Sequence, residues 1–156
     1  MDRLVRLYDL EPLEDSLNRL KKSQINIRLA MAYEKSKVVD WVEKNFSKEW
    51  ANECEKAFAN MPISCYIATK SGKIVGFAAF ESTCKNFFGP IGIDKSLRGK
   101  GIGKALLLSS LYAMKSMGYA YAIIGGGDGV EEFYSKSVDA MPIEGSTPGI
   151  YRDFLK

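Results

Sequence analysis

The hexapeptide Arg98-Gly99-Lys100-Gly101-Ile102-Gly103 joins an apolar, strand-like run to the most regular helical pattern in the chain, an order that requires a strand–turn–helix unit. Three glycines in six residues strip side chains from the connection, so backbone N–H groups lie open where the helix begins. Those first N–H groups have no intrahelical acceptor and carry the positive end of the helix dipole. An anion approaching through the glycines meets several donors at once, and Arg98, Lys100 and Lys104 add formal charge. The helix reads from Ile102 to Met117, with Ala105, Leu106, Leu108, Leu111, Tyr112 and Met114 on a wide apolar face and Gly118 as its terminator.

The rest of the chain alternates strands and helices. A strand over Leu4 to Leu10 precedes a helix with Pro12 near its start, and Ile25, Ile27, Leu29, Met31 and Tyr33 alternate with smaller or polar residues as in a half-buried strand. Ser36 and Ser47 stand where N-caps would open two helices carrying Val38, Val42, Phe46, Trp50, Cys54 and Phe58. Cys65 to Thr69 and Ile74 to Ser82 flank a Lys-Ser-Gly-Lys turn and predict a hairpin. A strand over 86–94 contains Gly89, Pro90 and Gly92, which predicts a bulge or an interrupted ladder. Strand 119–125 runs into Gly125 to Gly129, where Asp128 and Glu131 have capping-box spacing for a helix to about Val138, and 141–144 and 150–155 predict a last strand pair.

With 156 residues the chain is expected to form one domain, 1–156, with 1–24 as a strand–helix extension and 25–155 as the core. Charges recur every few residues from Met1 to Arg6, where a secretory leader needs an apolar run, and the expected location is cytoplasmic. A net charge of +3 with acids and bases interspersed argues against nucleic-acid and membrane partners. Three cysteines without Cys-x-x-Cys spacing argue for reduced thiols and against a disulfide framework or zinc knuckle. No histidine is present, which removes Ser-His and Cys-His nucleophile pairs and His-ligated metals; no metal site is expected, and proton transfer falls to Glu, Asp, Tyr, Lys, Cys or water.

Rival phosphate motifs fail on spacing. A P-loop needs Ser or Thr after Gly-Lys, and Ala105 follows Gly103-Lys104; the dinucleotide fingerprint needs a third glycine where Lys104 stands. Arg98-x-x-Gly101-x-Gly103, after Ile91-Gly92-Ile93 and before Lys104-Ala105-Leu106-Leu107, resembles instead the Q/R-x-x-G-x-G/A acyl-CoA motif of the GNAT N-acetyltransferase superfamily. Strand 120–124 followed by Glu132-Phe133-Tyr134-Ser135-Lys136 is similar to the family's next strand and its Phe-Tyr-x-Lys helix, so the resemblance covers about 130 residues. It implies the GNAT fold: an α/β (α+β) mixed, twisted sheet flanked by helices and splayed between strands 86–94 and 119–125.

The resemblance also implies acetyl-CoA as co-substrate, held by Ile91, Gly92 and Ile93 and by Arg98, Gly99, Lys100, Gly101, Ile102, Gly103 and Lys104. It implies acetyl transfer to a primary amine of a small molecule or peptide, with Tyr134 as the acid toward the coenzyme A thiolate. A Tyr packed beside Phe133 with a solvated hydroxyl satisfies the same residues; the resemblance favours the acid. For the base, Glu81 at a strand end is the first candidate, with Glu53, Glu144 and ordered water as competitors. Trp50, Glu53 and Tyr151, with Trp41, are the candidate acceptor contacts, and a homodimer is the expectation from the family. Two departures stand out: Gly127 or Asp128 replaces a common Asn, and Val138-Asp139 replaces Gly-Phe. The alternative function is a non-catalytic module that binds and senses acyl-CoA.

Overall fold

The computed structural model describes residues 1–156. Seven strands form one mixed sheet: β1 (Arg3–Arg6), β2 (Ile25–Leu29), β3 (Cys65–Lys70), β4 (Lys73–Phe80), β5 (Phe87–Ile93), β6 (Tyr121–Ile124) and β7 (Met141–Pro142), in spatial order β2-β3-β4-β5-β6-β1-β7. All neighbours are antiparallel except β5 and β6. Helices α1 (Glu14–Lys22) and α4 (Ile102–Ser116) pack on one face, and α2 (Lys35–Asn45) and α3 (Lys48–Phe58) on the other; α5 (Glu131–Val138) follows β6. No helix is long and apolar enough to cross a membrane.

Alternation in the central strands feeds two cores. Val75, Ala78 and Phe80 of β4 face Leu106, Leu107 and Leu111 of α4, whereas Phe77 and Ala79 face Val42, Cys54 and Ala57 of α2 and α3. Covered on both faces, β4 is buried from Val75 to Phe80, which accounts for its unbroken apolar run. Helix α3 opens as expected, the Ser47 hydroxyl accepting from Trp50 N at 3.1 Å, and the hairpin turns at Ser71-Gly72.

Several expectations are corrected. The first strand ends at Arg6 because Leu7–Asp9 form a 3-10 turn, and β1 lies inside the sheet between β6 and β7. The second strand stops at Leu29. Glu34 is the reason: its carboxylate accepts from Met31 N at 2.8 Å and from Arg28 Nη1 and Nη2 at 2.8 and 2.7 Å, curling 32–34 into a turn that runs into α2 ahead of Ser36. Residues 150–155 form no strand; β7 is two residues long, Pro142 has no N–H to extend a ladder, and Gly149–Tyr151 make a 3-10 turn. Asp128 does not cap α5, which has no side-chain cap.

Candidate active site

The interruption expected in β5 is present and creates the site. Gly76, Phe77 and Ala78 of β4 pair in register with Ile93, Gly92 and Ile91; the register then shifts, so that Phe80 pairs with Phe88 and Gly89-Pro90 form the bulge. Gly89 has φ +121°, which a side chain would strain. On its other side β5 meets β6 only at Phe87–Ile123 and Phe88–Ile124. Beyond that pair the strands part, β5 running on through Gly89 to Ile93 while β6 gives way to Gly125–Gly129. The wedge opens toward the N-terminus of α4 and forms a cleft of about 1080 Å³.

One end of this cleft is the glycine loop. Gly99 and Gly101 have φ +79° and +87°, and no side chain caps α4. Ala105 N donates to Gly101 O at 3.2 Å, which leaves the amides before it pointing out of the helix end. Arg98, Gly99, Gly101, Ile102, Gly103 and Lys104 line the cleft, as do Ile91, Gly92 and Ile93. Lys100 is exposed and does not line it, and the Lys104 ammonium pairs with Glu11 at 2.7 Å, so Arg98 is the cation left without a carboxylate partner at this end. An uncapped helix terminus behind side-chain-free backbone fits a pyrophosphate group.

Tyr134 also lines the cleft. Its ring is buried against Phe88 and Phe133, at centroid distances of 6.4 and 5.0 Å, and its hydroxyl has no hydrogen-bond partner in the protein. Burial pushes the phenol up to about 12, against a smaller downward pull from Arg3. The residue is 5% exposed and packs beside Phe133 as the sequence suggested.

At the far end the candidate acceptor residues come together. Trp50, Glu53 and Tyr151 all line the cleft, joined by Glu49, Phe46 and Thr83. The Thr83 hydroxyl donates to Glu53 Oε1 and fixes that carboxylate. The Tyr151 oxygen lies over Gly125, 2.8 Å from where a Cβ would stand. Burial, with Glu53, Asp2 and Cys84 nearby, raises the Tyr151 phenol above its ordinary range. Sequence reasoning missed Phe46, Glu49 and Thr83; helical spacing marked Glu49 through Glu53, one turn on, while Thr83 carried no signal.

Glu81 is not in the cleft. Its carboxylate accepts from Asn86 N and from the Tyr119 hydroxyl at 3.0 Å, locking the turn between β4 and β5, and it borders a separate hollow with Met61, Pro62 and Met117. The assignment of Glu81 as base is corrected on this ground. Glu144 is exposed and off the cleft, and Trp41 packs edge-on against Phe46 and Phe77 behind it.

Residues 62–137 match the family model described as an acetyltransferase (GNAT) domain. No curated protein sequence matches the chain. Among solved structures, a GCN5-related glucosamine N-acetyltransferase region of a fungal multi-domain GH3 beta-N-acetylglucosaminidase superposes with TM-score 0.69 at 15% identity, covering 88% of this chain and 19% of that one. A GCN5-related N-acetyltransferase from Sphaerobacter thermophilus gives 0.61 at 18%, covering 90% and 47%. A GNAT family acetyltransferase from Brucella melitensis, in complex with acetyl-CoA, gives 0.54 at 17%, covering 70% and 80%. The chain thus spans less than half the length of the first two.

Proposed function

We propose that this chain, whose residues 62–137 belong to the GNAT acetyltransferase family, moves an acetyl group from acetyl-CoA to a primary amine of a small molecule or peptide by direct attack. One observation carries the reading: a single cleft is bordered by an uncapped helix N-terminus, by the parted edge of a bulged strand and by a buried phenol. The amides around Gly101 to Lys104, with Arg98, suit the pyrophosphate, and the free backbone of Ile91 to Ile93 suits the amide-bearing pantetheine arm. When bound, acetyl-CoA supplies the activated acyl group; a C–N bond forms as the C–S bond breaks.

The chain's own part is to place the amine and move two protons. Glu53 takes over the role first assigned to Glu81: its carboxylate accepts the proton that the ammonium must lose, directly or through water. Tyr134, protonated throughout the neutral range, donates to the departing thiolate. Trp50 and Tyr151 flank the amine, and the paired acids Glu49 and Glu53 favour a cationic acceptor over an anionic one.

Release of free thiol from acetyl-CoA across a panel of amines tests the assignment, with Tyr134→Phe as control. Turnover with an acetylated-mass product is expected, and kcat in Tyr134→Phe about 100-fold lower. Tight acyl-CoA binding with no turnover for any amine would instead favour a sensing module.

A further inference from the structure

We propose that Arg3 is a positioning residue for the transfer, its guanidinium stabilising the phenolate that Tyr134 becomes when it gives up its proton. This rests on the reading of Tyr134 as the acid. In β1 the face that carries Val5 into the main core is the face that carries Arg3, two residues earlier, where the alternation calls for an apolar side chain. Arg3 is only 9% exposed, although a guanidinium is costly to bury unless fully paired. Its pairing is thin: Nη1 donates to Met1 O at 3.3 Å, and Nη2 lies 4.0 Å from Glu131, itself a largely solvated carboxylate. The next arginine on the strand, Arg6, turns away to Asp9 and Asp139.

Arg3 lies beside Tyr134 instead, behind the lining of the cleft. A Cβ on Gly127 would lie 3.4 Å from the Tyr134 ring and 3.7 Å from Arg3 Nη1, so the side-chain-free Gly127 is the contact shared by ring and guanidinium. The field of Arg3 works against the burial that holds the phenol protonated. Its neighbour Asp2 does the opposite for Tyr151, its carboxylate packing beside Gly149 and raising that phenol.

In the proposed step the Tyr134 O–H bond breaks as the S–H bond of coenzyme A forms, negative charge passes from sulfur to the phenolate oxygen beside Arg3, and a solvent proton restores the phenol before the next turnover. Arg3→Met and Arg3→Lys are compared in the native protein and in Tyr134→Phe, with kcat and both KM values measured and folding followed by circular dichroism. Arg3→Met is expected to lower kcat about tenfold, the equivalent of one pKa unit of phenolate stabilisation, with the donor KM within about twofold. Arg3→Lys restores most of that loss, and in Tyr134→Phe the Arg3→Met change costs less than about twofold. Equal losses in both backgrounds, a loss in KM alone, or an unchanged kcat overturns the role of Arg3. If Tyr134→Phe itself turns over at the native rate, the acid assignment fails, and this one with it. Should Arg3→Met not fold, Arg3→Gln carries the same comparison.

Discussion

Gly92→Ala tests how tightly the cleft wall is assembled. A Cβ at Gly92 would stand 2.4, 2.6 and 2.7 Å from Cζ, Cε2 and Cε1 of Phe46, so the whole end of the ring is in its way. Carbon atoms pack at about 3.5–4.0 Å, and the ring would have to retreat by more than about 1 Å. Trp50, Trp41 and Phe77 pack against it at centroid distances of 5.3, 5.5 and 5.8 Å, so it can retreat only toward the cleft, giving up those contacts. Overpacking of this kind costs about 1–3 kcal/mol, or a fall in Tm of about 2–12 °C for a chain of this length. Thermal unfolding in the native and Phe46→Ala backgrounds separates the clash from any effect of alanine in β5. Phe46→Ala alone is expected to cost about 3–5 kcal/mol, and Gly92→Ala added to it less than about 0.5 kcal/mol. A Gly92→Ala protein that melts within about 1 °C of native, or that loses as much stability without the ring as with it, would refute the packing argument.

Gly101→Ala strains a φ of +87° and blocks the approach to the α4 amides, so the KM for acetyl-CoA should rise at least about tenfold while the amine KM stays put; steady-state titration of each substrate reads this. Glu53→Gln keeps the Thr83 contact in shape but removes the charge, and kcat should fall at neutral pH by about 100-fold, with part of the loss recovered in more alkaline buffer as free amine accumulates. Glu34 is held down to about 2, first by its paired hydrogen bonds from Arg28 and then by the Met31 amide, against burial. A depressed carboxyl contributes stability above its ordinary value and loses it as pH falls toward about 2; Arg28→Gln should flatten that acid limb in denaturant melts taken between pH 5 and 2. A diamine should be a better acceptor than a monoamine of equal length if Glu49 and Glu53 both face it, and Glu49→Gln should erase the preference in competition assays.

Much of the sheet was legible because its signals are local. The hairpin of β3 and β4 follows from two apolar runs around a short turn, α3 from a Ser47 cap, and the bulge in β5 from Gly89-Pro90. What escaped depends on partners distant in sequence. The stop after Leu29 is imposed by Glu34 reaching back to Arg28 and Met31, and period-two alternation carries straight past it. The interior placement of β1 follows from pairing with β6, more than a hundred residues away, which no local window contains. The missing final strand reflects Pro142 and the Gly145–Gly149 turn outweighing the apolar residues after them.

The same division runs through the cleft, and it explains why its two ends were unequally readable. The donor end is a strand, a loop and a helix in sequence, so Arg98 to Gly103 carry nearly all of it: backbone amides need only glycine and a helix start. The acceptor end is assembled from α3, the 81–86 turn, the start of the β6–α5 loop and the 149–151 turn. A carboxylate there is defined by what holds it. Only Glu81 follows an apolar run, yet it is engaged by Asn86 and Tyr119, while Thr83, only two residues on, reaches across to Glu53 in the cleft. An amide and a hydroxyl each engage one oxygen of Glu81, which lies off the cleft, whereas Glu53 lines the cleft and keeps one oxygen uncommitted by any hydrogen bond within the chain. The base we propose is the carboxylate with an oxygen left free in the cleft, and that arrangement exists only once β4, β5 and α3 have come together.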